Sequence, residues 1–199
     1  MISMENPVLL LPGYTDSEAD LTTLAAYLWD AGFQVHPFGP RPSDGSVLLE
    51  DLAAQLQAYI DLTFGPDQPV DLVAFSMGGL ISRWYVQKLG GAERVQRLIT
   101  LATPHNGTIF AYLPVNSPGL RQMQPESAFL TELNQDLSPL ARLRFTSIWT
   151  PLDLTVFPAT SSILTVGKMV RLLLPHHRAL LSHPNCFAAI VDALRLPVG

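Results

Sequence analysis

The sequence predicts an α/β fold, a mostly parallel sheet of about six strands with helices on both faces, from two observations. Wholly apolar runs of strand length alternate along the chain with stretches whose leucines recur at helical spacing. One of those runs, VDLVAF, stops abruptly at Ser76, with Ala74 two residues before it and Gly78 and Gly79 just after. Strands that alternate with helices are joined by right-handed crossovers, which makes the sheet parallel and covers both its faces.

Each element has its own justification. PVLLLP (7–12) is apolar throughout and bounded by turn signals, as a strand covered on both faces should be. From 17 to 31, Leu21, Leu24 and Leu28 recur at helical spacing, Ser17 with Asp20 forms a capping-box pattern, and Gly32 suits the C-terminal cap. FQVHPF (33–38) is the second strand, and Leu48, Leu52, Leu56 and Tyr59 make the stripe of the second helix. VDLVAF (70–75) is the third strand. The third helix, 77–89, carries Leu80, Ile81 and Trp84 on one face and ends at Gly90 and Gly91. RVQRLITLA (94–102) is the fourth strand. The connection 103–126 is rich in Pro, Gly and Asn and longer than ordinary loops, which marks it as functional or disordered. A helix over 127–135, strands RFTSIWT (144–150) and MVRLLLP (169–175), and an amphipathic helix over 185–194 complete the chain. No repeat, low-complexity tract or linker interrupts it, so one domain over 1–199 is expected.

Composition narrows the function classes. A chain of 199 residues can bury roughly 70% of its unfolded surface, enough for a full core. Hydrophobic residues make up 48% and charged residues 15%, and the mean hydropathy is +0.24, so an apolar working surface is expected. No uninterrupted apolar run approaches the roughly 20 residues that span a bilayer; any membrane contact is expected to be transient and peripheral. Twelve Lys and Arg against seventeen Asp and Glu leave a net charge of −5 and no basic stripe, which argues against nucleic acid as a partner. The N-terminal MISMENPVLLLPG lacks the features of a secretory signal, so a cytoplasmic location is expected. The single Cys186 excludes an internal disulfide and a cysteine zinc site, and is expected to be a small buried hydrophobe.

In a parallel sheet, ligands lie beyond the carboxyl ends of the strands, where this chain places Gly13 and Tyr14, Ser76, the stretch 103–107, Asp153, and His176 and His177. A serine between a buried strand and a helix has the context of a nucleophile elbow, a strained turn that lifts the hydroxyl above the sheet edge. Strand and helix converge there, so Ala74 and Gly78 must be small. A serine hydroxyl is a weak nucleophile and needs a base, and the base needs a group to orient it. In the order Ser, acid, His, the candidates are Ser76, Asp153, and His177 or His176. The imidazole would take the serine proton and Asp153 would hold its tautomer. The oxyanion would be met by the backbone N–H of Met77, in the first turn of its helix, and of Tyr14.

Plainer readings stand beside these. Asp153 could simply begin a turn after Pro151, and chemistry alone does not separate His176 from His177. His36, His105 and His183 are expected to be structural, and Gly13 could merely make the turn after the first strand. Ile109, Phe110, Leu113, Leu120 and Met123 are either ordinary core or, with Tyr14, the lining of a substrate pocket.

PVLLLPGY, VDLVAFSMGGLISRWYV, LITLATPHNGT, RQMQPESAFL, TSIWTPLDLTVFP and HRALLSHPNC together resemble the small bacterial lipases of the α/β-hydrolase superfamily, from about Pro7 to Leu194. The resemblance implies a compact α/β-hydrolase fold without a large lid, and hydrolysis of acyl esters or lipids without cofactor or metal. It implies His177, which opens His-x-x-Leu-Leu, as the base and Asp153 as the acid. Two departures from the family pattern are Pro12 before Gly13 and Phe75 before the serine, where members usually carry His. An acyltransferase using the same three residues, or a noncatalytic ligand-binding protein of the same fold, are the rival functions.

Overall fold

The computed structural model describes residues 6–113 and 116–198. Residues 1–5 of the N-terminal stretch and Pro114 and Val115 of the long connection, for which expectations are given above, lie outside the described residues.

Six strands form one parallel sheet: β1 (Val8–Leu11), β2 (Val35–Pro37), β3 (Val70–Phe75), β4 (Val95–Leu101), β5 (Arg144–Trp149) and β6 (Lys168–Arg171), in the order β2-β1-β3-β4-β5-β6. Side chains of a strand alternate between faces, and the core divides accordingly. Leu9, Leu11, Leu72, Ala74 and Leu98 join the cluster on one face with α2 (Leu49–Phe64) and α3 (Met77–Lys88). Val8, Leu10, Val73, Phe75, Ile99 and Leu101 join the cluster on the other with α1 (Thr22–Asp30) and α7 (Pro184–Leu194). Burying the strands on both faces is why their sequences are apolar without alternation.

The chain runs from β1 outward to β2, then returns through α2 to lay β3 on the other side of β1. Such a reversal opens a crevice over the carboxyl ends of the two strands that flank it, here those of β1 and β3. Leu11 of β1 pairs with Ala74 of β3, and Phe75 of β3 with Leu101 of β4, so these strand ends finish level with one another.

Several elements differ from the sequence expectation. The first turn after Ser17 is a 3-10 turn, Glu18–Leu21, before α1 begins, although the capping box forms: the Asp20 carboxylate accepts from the Ser17 N–H at 2.9 Å. The long connection is ordered locally by a 3-10 turn, Ile109–Tyr112, and by α4 (Pro118–Gln122), capped by the Ser117 hydroxyl. After α5 (Ala128–Gln135), α6 (Ser138–Ala141) also escapes the sequence reading. Elements of one turn have no periodicity to detect; their caps are the only local sign. α3 is buried almost all round, with Arg83 inside and Trp84 only half-buried, because α2 packs on one flank and α5 and α6 on another.

β6 stops at Arg171, not at residue 175. The Leu172 N–H still reaches the Trp149 carbonyl at 2.9 Å, and then the chain leaves the sheet. Thr150 captures it: its hydroxyl donates to the Leu174 carbonyl at 2.7 Å and accepts from the Leu174 N–H at 3.2 Å. This clip sets the start of the segment that carries His177.

Cys186 is buried in α7, and that burial pushes its thiol up to about 12. Among the described residues, no helix is long and apolar enough to cross a membrane.

Candidate active site

Ser76 sits between β3 and α3 with φ 52° and ψ −120°. A non-glycine residue at positive φ is uncommon, and such a conformation costs about 1–3 kcal/mol that the surrounding structure must offset. Here the Ser76 N–H donates to the Leu101 carbonyl of β4 at 2.8 Å, and the Gly79 N–H returns to the Ser76 carbonyl at 3.0 Å. The strained turn is therefore held from both sides. A Cβ on Gly78 would lie 2.5 Å from the Pro12 carbonyl oxygen, so only glycine lets α3 approach the end of β1.

Asp153 and His177 come together at the other half of the site. Asp153 is buried in the turn after β5, where its Oδ1 accepts the N–H groups of Thr155 and Val156, each at 2.8 Å. Its Oδ2 lies 2.6 Å from His177 Nδ1. In the neutral ring this contact places the proton on Nδ1, the donor to the carboxylate, and makes Nε2 the acceptor nitrogen. His177, also buried, rests on Phe75 with ring centroids 4.6 Å apart. His176 is exposed, and of the two histidines it is His177 that meets the carboxylate.

The turn after β1 closes over the serine. A Cβ on Gly13 would be 3.1 Å from Ser76 Cβ and 3.1 Å from Phe75 Cδ1, so this backbone touches the elbow directly. The N–H groups that follow Tyr14 are committed: Thr15 donates to the Ser43 carbonyl at 2.8 Å and Asp16 to the Gly13 carbonyl at 3.2 Å. Tyr14 immediately precedes them in the turn. Met77 opens α3, where first-turn N–H groups have no acceptor within the helix.

Beside Ser76 opens a mainly apolar cavity of about 240 Å³. Tyr14, Phe110, Leu113, Leu120 and Met123, expected from the sequence, line it. Ile109 does not: it is half-exposed on the 3-10 turn, whose tight winding directs Phe110 and Ala111 to the cavity and Ile109 away from it. Leu120 and Met123 are buried at the inner end, whereas Phe110, Leu113 and Leu154 are exposed at the mouth.

The family model for the alpha/beta hydrolase fold matches residues 6–161, which contain β1 through β5, Ser76 and Asp153. The chain belongs to the α/β-hydrolase fold family. As a member, it superposes on lipase B of Aspergillus fumigatus with a TM-score of 0.83 at 20% identity, over 98% of this chain and 54% of that one. The mature form of the Bacillus licheniformis lipase BlEst2 gives 0.79 at 17% identity, over 98% and 94%. A monoacylglycerol lipase of Paleococcus ferrophilus gives 0.72 at 12%, over 96% and 94%. This α/β hydrolase thus spans about half the length of the fungal lipase and nearly the whole of the other two. At such identities the likeness establishes the fold. No curated protein matches the sequence.

The described residues of this hydrolase fold carry no large lid, as the resemblance implied. They also contain no group of three or more His, Cys, Asp or Glu that could hold a metal ion. Several residues of the site were beyond sequence reasoning. Leu154, Thr155 and Val156 line the cavity because the turn that buries Asp153 folds back over it, and their only sign was proximity to Asp153. Pro104, Thr108 and Ala111 also line it, on the connection already marked by its length. His105 is wholly buried behind them: its Nε2 is 3.1 Å from Thr100 Oγ1 and its Nδ1 3.3 Å from an Arg83 nitrogen. Burial, and then the Arg83 charge, hold its proton affinity well below the usual imidazole value. Arg83 also donates to Leu133 O, Asn134 Oδ1 and Gln87 Oε1, which ties α3 to α5, and its burial lowers its own pKa to about 9. His36 packs edge-on against Phe64, and His183 caps α7 by accepting the Asn185 N–H.

Proposed function

We propose that this protein is a serine esterase or lipase that hydrolyses acyl esters through an acyl-enzyme. The observation that carries the reading is the 2.6 Å contact of Asp153 Oδ2 with His177 Nδ1, on an imidazole that rests against the residue preceding a strained serine. The Ser76 hydroxyl attacks the ester carbonyl carbon while His177 Nε2 takes its proton. The carbonyl oxygen gains the electron pair and becomes the oxyanion, which the Tyr14 and Met77 N–H groups meet. As the carbonyl re-forms, the bond to the alcohol breaks and His177 returns the proton to that oxygen. Water then repeats the sequence on the acyl-serine, with His177 as base, and releases the carboxylic acid and free Ser76. Asp153, held by two backbone N–H groups, keeps Nδ1 protonated and stabilises the imidazolium formed in each half.

The cavity supplies the substrate class. Its apolar walls fit an acyl chain, and the exposed Phe110, Leu113 and Leu154 at its mouth, with Leu152 and Phe157 nearby in sequence, suit contact with a lipid surface from which the ester would enter. The test is hydrolysis of soluble esters by the wild-type and Ser76→Ala proteins, with mass spectrometry after a phosphonate serine reagent. The expected result is turnover and an adduct on Ser76 in the wild type, and neither in the variant. Turnover that survives Ser76→Ala would overturn the assignment.

A further inference from the structure

The two halves of the site stand on different parts of the sheet: Ser76 and the Gly13–Tyr14 turn on β3 and β1, Asp153 and His177 after β5 and β6. Besides the packing of His177 on Phe75, an ion pair joins them. Arg178, the residue after His177, reaches the turn after β1, where one guanidinium nitrogen donates to Asp16 Oδ1 at 2.5 Å and the other to Asp20 Oδ1 at 2.7 Å. The partners are separated by 162 and 158 residues in the chain.

Asp16 is well placed to transmit this tie. It is buried, and its N–H closes the turn onto the Gly13 carbonyl at 3.2 Å. Its second oxygen, Oδ2, lies against Gly13, 3.0 Å from where a Cβ would be, on the same backbone that meets Ser76 Cβ. Thr15 between them is held at φ 60°, so the turn is strained as well as closed. Asp20 adds a second anchor: while Oδ1 receives Arg178, Oδ2 caps the Ser17 N–H. A displacement of the His177 segment would therefore pull on the turn that presents the Tyr14 N–H, and the reverse.

We propose that Arg178 is a positioning residue that locks the turn presenting the Tyr14 N–H to the segment carrying His177, so that the oxyanion donor and the base hold one geometry. The inference rests on the esterase reading above. Arg178 touches neither Ser76 nor His177 Nε2 through any hydrogen bond, and its effect is on placement. A charge-assisted pair of this kind is directional, and loss of about 1 Å in placement costs on the order of a hundredfold in rate.

The experiment compares kcat and KM for a soluble ester in wild type, Arg178→Ala, Arg178→Lys, Asp16→Asn and Arg142→Ala. Arg142→Ala removes another exposed ion pair, with Glu93 at 3.9 Å, at the opposite ends of the strands, ahead of β5 and β4. Expected are a ten- to hundredfold loss of kcat in Arg178→Ala with KM within about threefold, a similar loss in Asp16→Asn, partial recovery in Arg178→Lys, and wild-type kcat in Arg142→Ala. The rate of phosphonate labelling of Ser76, which needs the same donor, should fall in parallel with kcat. The combined Arg178→Ala and Asp16→Asn protein should lose no more than either change alone. If Arg178→Ala does not fold, Asp16→Asn and Arg178→Lys decide by the same measure. Wild-type kcat in Arg178→Ala or in Asp16→Asn overturns the proposal, as does a loss that appears only in KM. Absence of turnover in the wild type would instead overturn the esterase reading.

Discussion

Phe75 and His177 meet ring against ring, 4.6 Å between centroids and tilted by 42°, so the residue immediately before Ser76 is the wall on which the imidazole rests. A wall of this kind limits the ring's rotation about its Asp153 hydrogen bond, which alone fixes only one nitrogen. Phe75→Ala should lower kcat by about tenfold with little change in KM, since the ring gains freedom but keeps its proton arrangement. Phe75→Tyr, which keeps the wall, should stay close to wild type. Steady-state kinetics of both variants check this, and unchanged kcat in Phe75→Ala would refute it.

The neighbouring histidines make a sharper comparison. His177→Ala should lose roughly 10⁴-fold or more in turnover, the usual cost of removing such a base, and Asp153→Asn should be severely impaired. His176→Ala, exposed and one residue away, should remain within about tenfold of wild type. Circular dichroism would establish that each variant is folded. An inactive His176→Ala beside an active His177→Ala would place the base one residue earlier.

In the proposed esterase, cavity size would set the acyl preference. At about 30 Å³ per small group, close to the share of one water in the liquid, 240 Å³ accommodates on the order of eight chain atoms. Rates across a series of soluble esters should peak at medium chain length, and Met123→Ala, at the buried inner end, should shift the peak to longer acids. A sharp preference for acetyl esters would show that the 103–126 connection closes the cavity.

His105 predicts how stability depends on pH. Its imidazole is kept neutral in the fold by burial first and the Arg83 charge second, whereas in the unfolded chain it takes a proton below about 6.5. Below that pH the unfolded state binds a proton that the native state refuses, so stability is full above it and falls as pH drops from about 6.5 toward 5, by up to about 1.4 kcal/mol per pH unit. Thermal or denaturant unfolding of the wild type should show this slope, and His105→Gln should flatten it even though it is less stable overall. His36, also shifted down by burial, remains in both proteins and keeps any residual slope in the same direction. An equal slope in the two proteins would refute the assignment to His105.

Much of this architecture was legible in the residues themselves. The strands are apolar on both faces and the longer helices carry stripes, so each announces itself within a window of a dozen residues. The elbow is equally local: small residues around Ser76 are demanded by a turn that one short stretch of chain makes, and the positive φ and the close approach of Gly78 to Pro12 are its realisation. Strand ends also located Asp153 and the histidine pair. Tertiary structure decided what depends on distant partners. Whether His176 or His177 faces the carboxylate follows from Thr150 clipping Leu174 and from Phe75 receiving the ring. Arg83 carries no local sign of burial, and it lies inside because α5 supplies a carbonyl and an amide to its guanidinium. Ile109 and Phe110 are adjacent and equally apolar, and only the winding of one 3-10 turn sends the second to the cavity and the first to the surface. Arg178 meets Asp16 across 162 residues. Periodicity records which face of an element is buried, but the identity of what covers it is a property of the packed chain.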